Sequence, residues 1–170
     1  MRRAGVIATL VTLLVALSAS VALAATVISP ANAPSGTHLQ AGTTGCDVGT
    51  DGLTVTCTAY ELAGVGNTNA DVLLSATYSG VVDCRNHGGN IVESHETTFS
   101  AEDGETVRSS RNGRLRVGAQ EVSPDLDLAE PCPNPNWTPE FHAGSPTLDS
   151  FTYTLTFAGF SSPYITITGP

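Results

Sequence analysis

Between residues 71 and 84 the chain reads DVLLSATYSGVVDC, and its even-numbered positions are Val72, Leu74, Ala76, Tyr78, Gly80, Val82 and Cys84, none of them polar. The odd-numbered positions are polar except for Leu73 and Val81. A period of two gathers the even side chains on one face of a strand, whereas a helix would scatter them. The pattern therefore predicts a long, half-buried β-strand, with Gly80 as a bulge or bend.

The same alternation predicts strands through Leu53, Val55, Cys57 and Ala59 and through Phe151, Tyr153, Leu155 and Phe157, each interleaved with threonines, and another at Ile165 and Ile167. Residues 93–101 carry fewer apolar side chains and are expected to form an edge or surface strand. Glycine and asparagine clusters at 64–69 and 86–90, and the dipeptide Asn112-Gly113, mark turns. Past residue 24 no stretch of helical spacing reaches three turns. About seven short strands divided by Gly, Pro and Asn predict an all-β chain, an antiparallel β-sandwich of immunoglobulin-like or Greek-key type, occupying 46–170 as one domain. Residues 25–45, rich in Gly, Pro, Ser and Thr, are expected to be a flexible N-terminal segment. The immunoglobulin order Cys, Trp, Cys is missing, because Trp137 follows the last cysteine.

Arg2 and Arg3 precede an uncharged run that closes on Ala22-Leu23-Ala24, the small-x-small pattern of a signal peptidase site, which predicts a secretory signal peptide over 1–24. The competing membrane anchor is disfavoured because the run is diluted by Ala, Ser and Thr. Cleavage would leave 146 residues in which five arginines and no lysine face 16 acids, moving the formal charge from −9 to −11. That charge argues against nucleic acid and anionic lipid as partners. The mature chain is expected to be extracellular, off the membrane, and long enough for a single core.

Cys46, Cys57, Cys84 and Cys132 are an even count in an exported chain, which favours disulfides over a metal site. A two-residue turn at Asp51-Gly52 sets Thr50 opposite Leu53, Val48 opposite Val55 and Cys46 opposite Cys57. Directly opposed residues have Cα atoms about 4.5 to 5.5 Å apart, within disulfide reach. The expected pairs are Cys46 with Cys57 and, by elimination, Cys84 with Cys132. A zinc site built from all four cysteines would want C-x-x-C spacing, which is absent.

Recognised catalytic patterns are also absent: there is no G-x-S-x-G elbow, no phosphate loop, no dinucleotide fingerprint and no H-E-x-x-H. Glu93 and His95 share a strand face, with His87 in the preceding loop, and are read as polar surface residues rather than metal ligands. Asp125, Asp127 and Glu130 lack the spacing of a calcium loop and are read as a loop. No cofactor and no metal is expected. Two surfaces concentrate uncommon residue types. With Asn112-Gly113 as a two-residue turn, Arg111 opposes Arg114 and Ser109 opposes Arg116, so Arg111, Arg114 and Arg116 fall on one side of a hairpin, where the chain's acids or an anionic partner must neutralise them. Residues 131–141, PCPNPNWTPEF, form a proline-stiffened loop presenting Trp137 and Phe141, with Trp137 read either as a lid over the end of the core or as a binding residue.

The lysine-free composition, the Ala-, Gly- and Thr-rich export segment, and the stretches GVGNTNA (64–70), NGRL (112–115) and PCPNPNW (131–137) make the chain resemble small exported proteins of high-GC Gram-positive bacteria, the actinobacteria. No activity attaches to that group, so the resemblance implies a compartment and no chemistry. The expected function is a secreted, non-enzymatic binding or cell-envelope module for an extracellular protein or glycan, docking through Trp137, Phe141, Arg111, Arg114 and Arg116. The alternative is a secreted hydrolase of an extracellular polymer whose polar groups meet only on folding.

Overall fold

The structure is a computed structural model and describes residues 24–126 and 132–170. The expected leader, apart from Ala24, lies outside the described residues, as do Asp127, Glu130 and Pro131. In chain order the strands are β1 (Ala25–Ile28), β2 (His38–Gly42), β3 (Cys46–Val48), β4 (Val55–Cys57), β5 (Tyr60–Ala63), β6 (Ala70–Arg85), β7 (Ile91–Val107), β8 (Arg114–Val117), β9 (Gln120–Val122), β10 (Thr138–Phe141), β11 (Thr147–Phe157) and β12 (Ile165–Gly169). They form an antiparallel β-sandwich carrying two disulfides, Cys46–Cys57 and Cys84–Cys132, the expected pairs. Among the described residues the helical content is one 3-10 turn, Pro30–Asn32.

The main sheet is organised around β6. Its even-numbered residues are buried as the alternation requires, Val72, Leu74, Ala76, Tyr78, Val82 and Cys84 all lying at 2% exposure or less. On one side β6 pairs with β7 along its whole length, from Ala70 against Val107 to Arg85 against Ile91. On the other it pairs with β11 over its first half and with β10 near its end, so β10 and β11 behave as one long strand interrupted at 142–146. The sheet continues through β12 to β1. Gly80 is not a bulge toward β7: that register passes it unbroken, and its irregularity falls between Cys84 and Arg85. Its lack of a side chain makes room for the interrupted strand, because a Cβ there would lie 3.2 Å from Pro146 Cα and 3.4 Å from the Phe141 ring.

The facing layer is formed by β2-β5-β8 and β3-β4-β9. The two belong to one three-stranded sheet creased across its middle. Tyr60 opposite Val117 and Cys57 opposite Gln120 share a single register, and only the residues between them are unpaired. At the crease Thr58 donates its backbone N–H to Gly45 O (3.0 Å) and its hydroxyl to Thr43 O (2.5 Å), so the backbone groups freed by the bend are still satisfied. Val55, Tyr60, Leu62, Leu115 and Val117 from this layer meet Leu74, Tyr78, Phe151, Tyr153 and Leu155 from the main sheet in one core. Two phenol hydrogen bonds cross it: the Tyr60 and Tyr153 hydroxyls lie 2.7 Å apart, and Tyr78 donates to Leu53 O at 3.0 Å.

Two expectations are corrected. Residues 25–45 are not a loose lead-in, because they supply β1, paired with β12, and β2, paired with β5. All nine residues of those strands are exposed, so no apolar alternation betrays them. At Asp51-Gly52 the register is as expected but the turn is longer. Gly49 N–H bonds Thr54 O at 2.7 Å and closes a four-residue loop, in which the Asp51 carboxylate accepts the Leu53 and Thr54 N–H groups and the Thr54 hydroxyl. The Thr54 hydroxyl leads those hydrogen bonds in holding the Asp51 pKa down at about 2.

Candidate functional site

The arginine hairpin differs from its expected form. Gly113 N–H bonds Ser110 O (3.0 Å) and Ser110 N–H bonds Arg114 O (2.7 Å), which makes 111–113 a three-residue turn with Gly113 at φ +69°. Arg111 therefore does not oppose Arg114 and stands exposed in the turn. The two arms also part company, β7 remaining in the main sheet while β8 pairs with β5. That register sets Arg116 opposite Glu61 and Arg114 opposite Ala63. The Glu61 carboxylate accepts Arg116 Nε at 2.7 Å and Arg114 Nη1 at 2.6 Å. The hydrogen bond from Arg116, then that from Arg114, keeps the Glu61 pKa below its ordinary value. The chain's own acid thus answers part of the like-charge problem. Arg108, which the sequence did not single out, joins Arg114, Arg116, Ser110 and Asn112 around a cleft of about 260 Å³.

The proline-rich stretch is partly strand. Thr138 to Phe141 is β10, with Pro139 opposite Cys84 and Phe141 opposite Val82. Pro139 is tolerated because β10 pairs with β6 alone, so its missing N–H can face the open edge. Trp137 precedes this strand, donates its N–H to Asn134 O at 3.0 Å, and is half-buried outside the core cluster. An aromatic row runs along the inner face and ends on β10. The Tyr78 and Phe99 rings stack with centroids 5.6 Å apart, and Phe99 and Phe141 follow at 6.1 Å. The disulfide from Cys84 to Cys132 pins the start of this region to the end of β6. Ile91 and Val92, both exposed, lie at the same end of the sheet.

The outer face of that end carries a polar cluster that sequence reasoning missed. Asp83 is 3% exposed although it sits on the polar face of β6. Its Oδ1 accepts the Ser94 hydroxyl at 2.6 Å, and its Oδ2 lies 2.8 Å from His142 Nδ1. The Ser94 hydrogen bond, then that of His142, lowers the Asp83 pKa. Beside it Arg85 and Glu140 form an ion pair, which raises the Arg85 pKa. Asp83 and His142 are 59 residues apart. The signal that could have joined them is the Cys84–Cys132 bridge, which draws the stretch after Cys132 to the end of β6. Next to the cluster Ser79, Val81, Glu96, Thr98, Ser145 and Thr147 line an open cleft of about 290 Å³.

Glu93 and His95 do share a face, the inner one, opposite Cys84 and Val82, while His87 sits in the 86–90 turn. Among the described residues no three His, Cys, Asp or Glu are placed to hold a metal ion. Of the acids considered for calcium, Asp125 alone is described; Asp127 and Glu130 lie outside. Also among the described residues, no helix is long and apolar enough to cross a membrane. No family model, no curated protein and no solved structure matches this chain.

Proposed function

We propose that this chain is a secreted, non-enzymatic β-sandwich module that binds a protein or glycan outside the cell or in its envelope. Support for the compartment comes from two disulfides, which persist in oxidising environments. The observation that carries the binding role is Trp137. It stands outside the core on a segment held by the Cys84–Cys132 bridge, by β10 and by the Asn134 turn, where Asn134 Oδ1 also accepts Asn136 N–H at 3.0 Å. An aromatic side chain presented by backbone that is already ordered loses little entropy on binding. Phe141 lies on the same segment, and Arg114 and Arg116, with Arg111 exposed in the adjoining turn, supply a second, cationic region. The acidic charge of the chain disfavours nucleic acid and anionic membranes as ligands.

A hydrolase is the second possibility, and the Asp83–His142 pair favours it, since a carboxylate at Nδ1 orients an imidazole for general-base work. Against it, among the described residues no hydroxyl is hydrogen-bonded to the His142 ring: Ser94 donates to Asp83, and Ser145 Oγ accepts Val81 N–H at 3.0 Å. One experiment separates the two. The protein is incubated with envelope polysaccharides and culture-supernatant proteins, and both retention and product release are measured. The binding module predicts saturable retention with the ligand recovered intact, and loss of retention in a folded Trp137→Ala variant. Cleavage that disappears in His142→Ala would establish the hydrolase instead.

A further inference from the structure

We infer that the cleft walled by Arg108, Arg114 and Arg116 binds the oxyanion of an acidic sugar: a phosphate, sulfate or carboxylate carried on a saccharide ring. This deepens the binding-module proposal and rests on it. The chain as a whole carries a formal charge of −9, yet here three guanidiniums line one cleft and a single carboxylate, Glu61, pairs with two of them, leaving a local excess of positive charge. Among the described residues Arg108 has no carboxylate partner. Each guanidinium has five N–H donors. Arg114 commits Nη1 to Glu61, and Arg116 commits Nε, so the other donors of both remain for a ligand. Glu61 thereby sets two guanidiniums side by side, and planar donor forks match the oxygens of an oxyanion better than ammonium groups do.

The walls are fixed in advance. Val65 N–H bonds Gly113 O at 3.2 Å, Ser109 N–H bonds Asn69 Oδ1 at 3.1 Å, and Arg114 N–H bonds Ser110 Oγ at 3.2 Å. An ordered site loses little entropy when it closes on a ligand. The chemistry of the remaining lining favours a sugar over an acidic polypeptide. The Ser110 hydroxyl and the Asn112 amide stand beside the guanidiniums, which suits ring hydroxyls around a single charged group. A space of about 260 Å³ is also concave and small, fitting one charged ring rather than a flat protein surface.

The test is calorimetric titration of the full mature chain with glucose 6-phosphate, a sulfated disaccharide, a galacturonate disaccharide, the neutral parent sugars, and a polyglutamate peptide. Arg108→Ala is the main variant, because Arg108 takes no part in the Glu61 pair and its loss should leave the melting temperature unchanged. An Arg114→Lys/Arg116→Lys variant keeps the charge and removes the forks. The expected result is binding of at least one acidic sugar and none of the neutral parents, weakened about tenfold or more by Arg108→Ala and reduced by the double lysine variant. The affinity should fall as salt is raised. The three acidic sugars show which oxyanion is preferred. Equal binding of neutral and acidic sugars, binding of polyglutamate alone, or an Arg108→Ala variant as good as wild type overturns the inference. If no acidic sugar binds while retention that depends on Trp137 persists, the cleft assignment fails and the binding module stands. If both are absent, both fail.

Discussion

Replacing Tyr60 or Tyr153 by phenylalanine, singly and together, tests whether one hydrogen bond fastens the two layers. The hydroxyls lie 2.7 Å apart across the core, and the residues are 5% and 1% exposed. Removing one oxygen keeps the ring but strands the other hydroxyl without water, which costs about 1–3 kcal/mol. Removing both leaves an apolar contact of nearly the same shape, so the double variant should be no less stable than either single one. The coupling energy should then be at least as large as one single-variant loss, about 1–3 kcal/mol. Urea unfolding with disulfides intact, followed by far-UV circular dichroism, measures all four proteins. Single-variant losses that simply add would refute the account, since additivity means that the two hydroxyls are not each other's partners. The same pair sets an alkaline limit. Burial raises both phenol pKa values, that of Tyr153 to about 12 and that of Tyr60 further. A group whose folded pKa is raised contributes stability that is complete below its unfolded value near 10 and is lost as pH climbs toward 12. The double phenylalanine variant should therefore lose less stability than wild type between those pH values.

Three further outcomes are expected. Removing the Cys84–Cys132 bridge, which spans 48 residues, should destabilise by about 4 kcal/mol, against about 3 for Cys46–Cys57, which spans 11; paired serine variants in urea give the comparison, and a reversed order would contradict the loop-entropy argument. Because the folded Asp83 pKa lies below 3.8, its contribution is present above that pH and is lost as pH falls through the lowered value, so thermal melts from pH 6 downward should show a flatter acid limb in Asp83→Asn than in wild type. Gly64→Ala should cost about 2 kcal/mol or more in urea unfolding, because φ is +75° and a Cβ would collide with the Gly36 carbonyl oxygen.

Alternation is readable wherever one face of a strand meets the core. Val72 to Cys84 and Phe151 to Phe157 stand out for that reason, and counting outward from Asp51-Gly52 sets Cys46 against Cys57 even though the loop is longer than two residues. Where no side chain is buried, the pattern carries no signal, which is why β1 and β2 read as a flexible lead-in. Asn112-Gly113 misleads for another reason. The Ser110 hydroxyl and carbonyl extend the turn by one residue, which moves Arg111 off the face shared by Arg114 and Arg116. The crease of the second layer, the place of Arg108 on the cleft, and the meeting of Asp83 with His142 all depend on how distant segments stack. Local spacing holds no trace of those.

The central claim, that a partner docks on the Trp137 surface, is tested most directly by that residue's own fluorescence, since it is the chain's sole tryptophan. Iodide and acrylamide quenching is measured on the free protein and again in the presence of whichever polysaccharide or protein it retains, with Arg108→Ala beside the wild type. The account predicts appreciable quenching in the free state and marked protection on binding. Protection without saturable dependence on ligand, or quenching unchanged by a ligand that demonstrably binds, would contradict it.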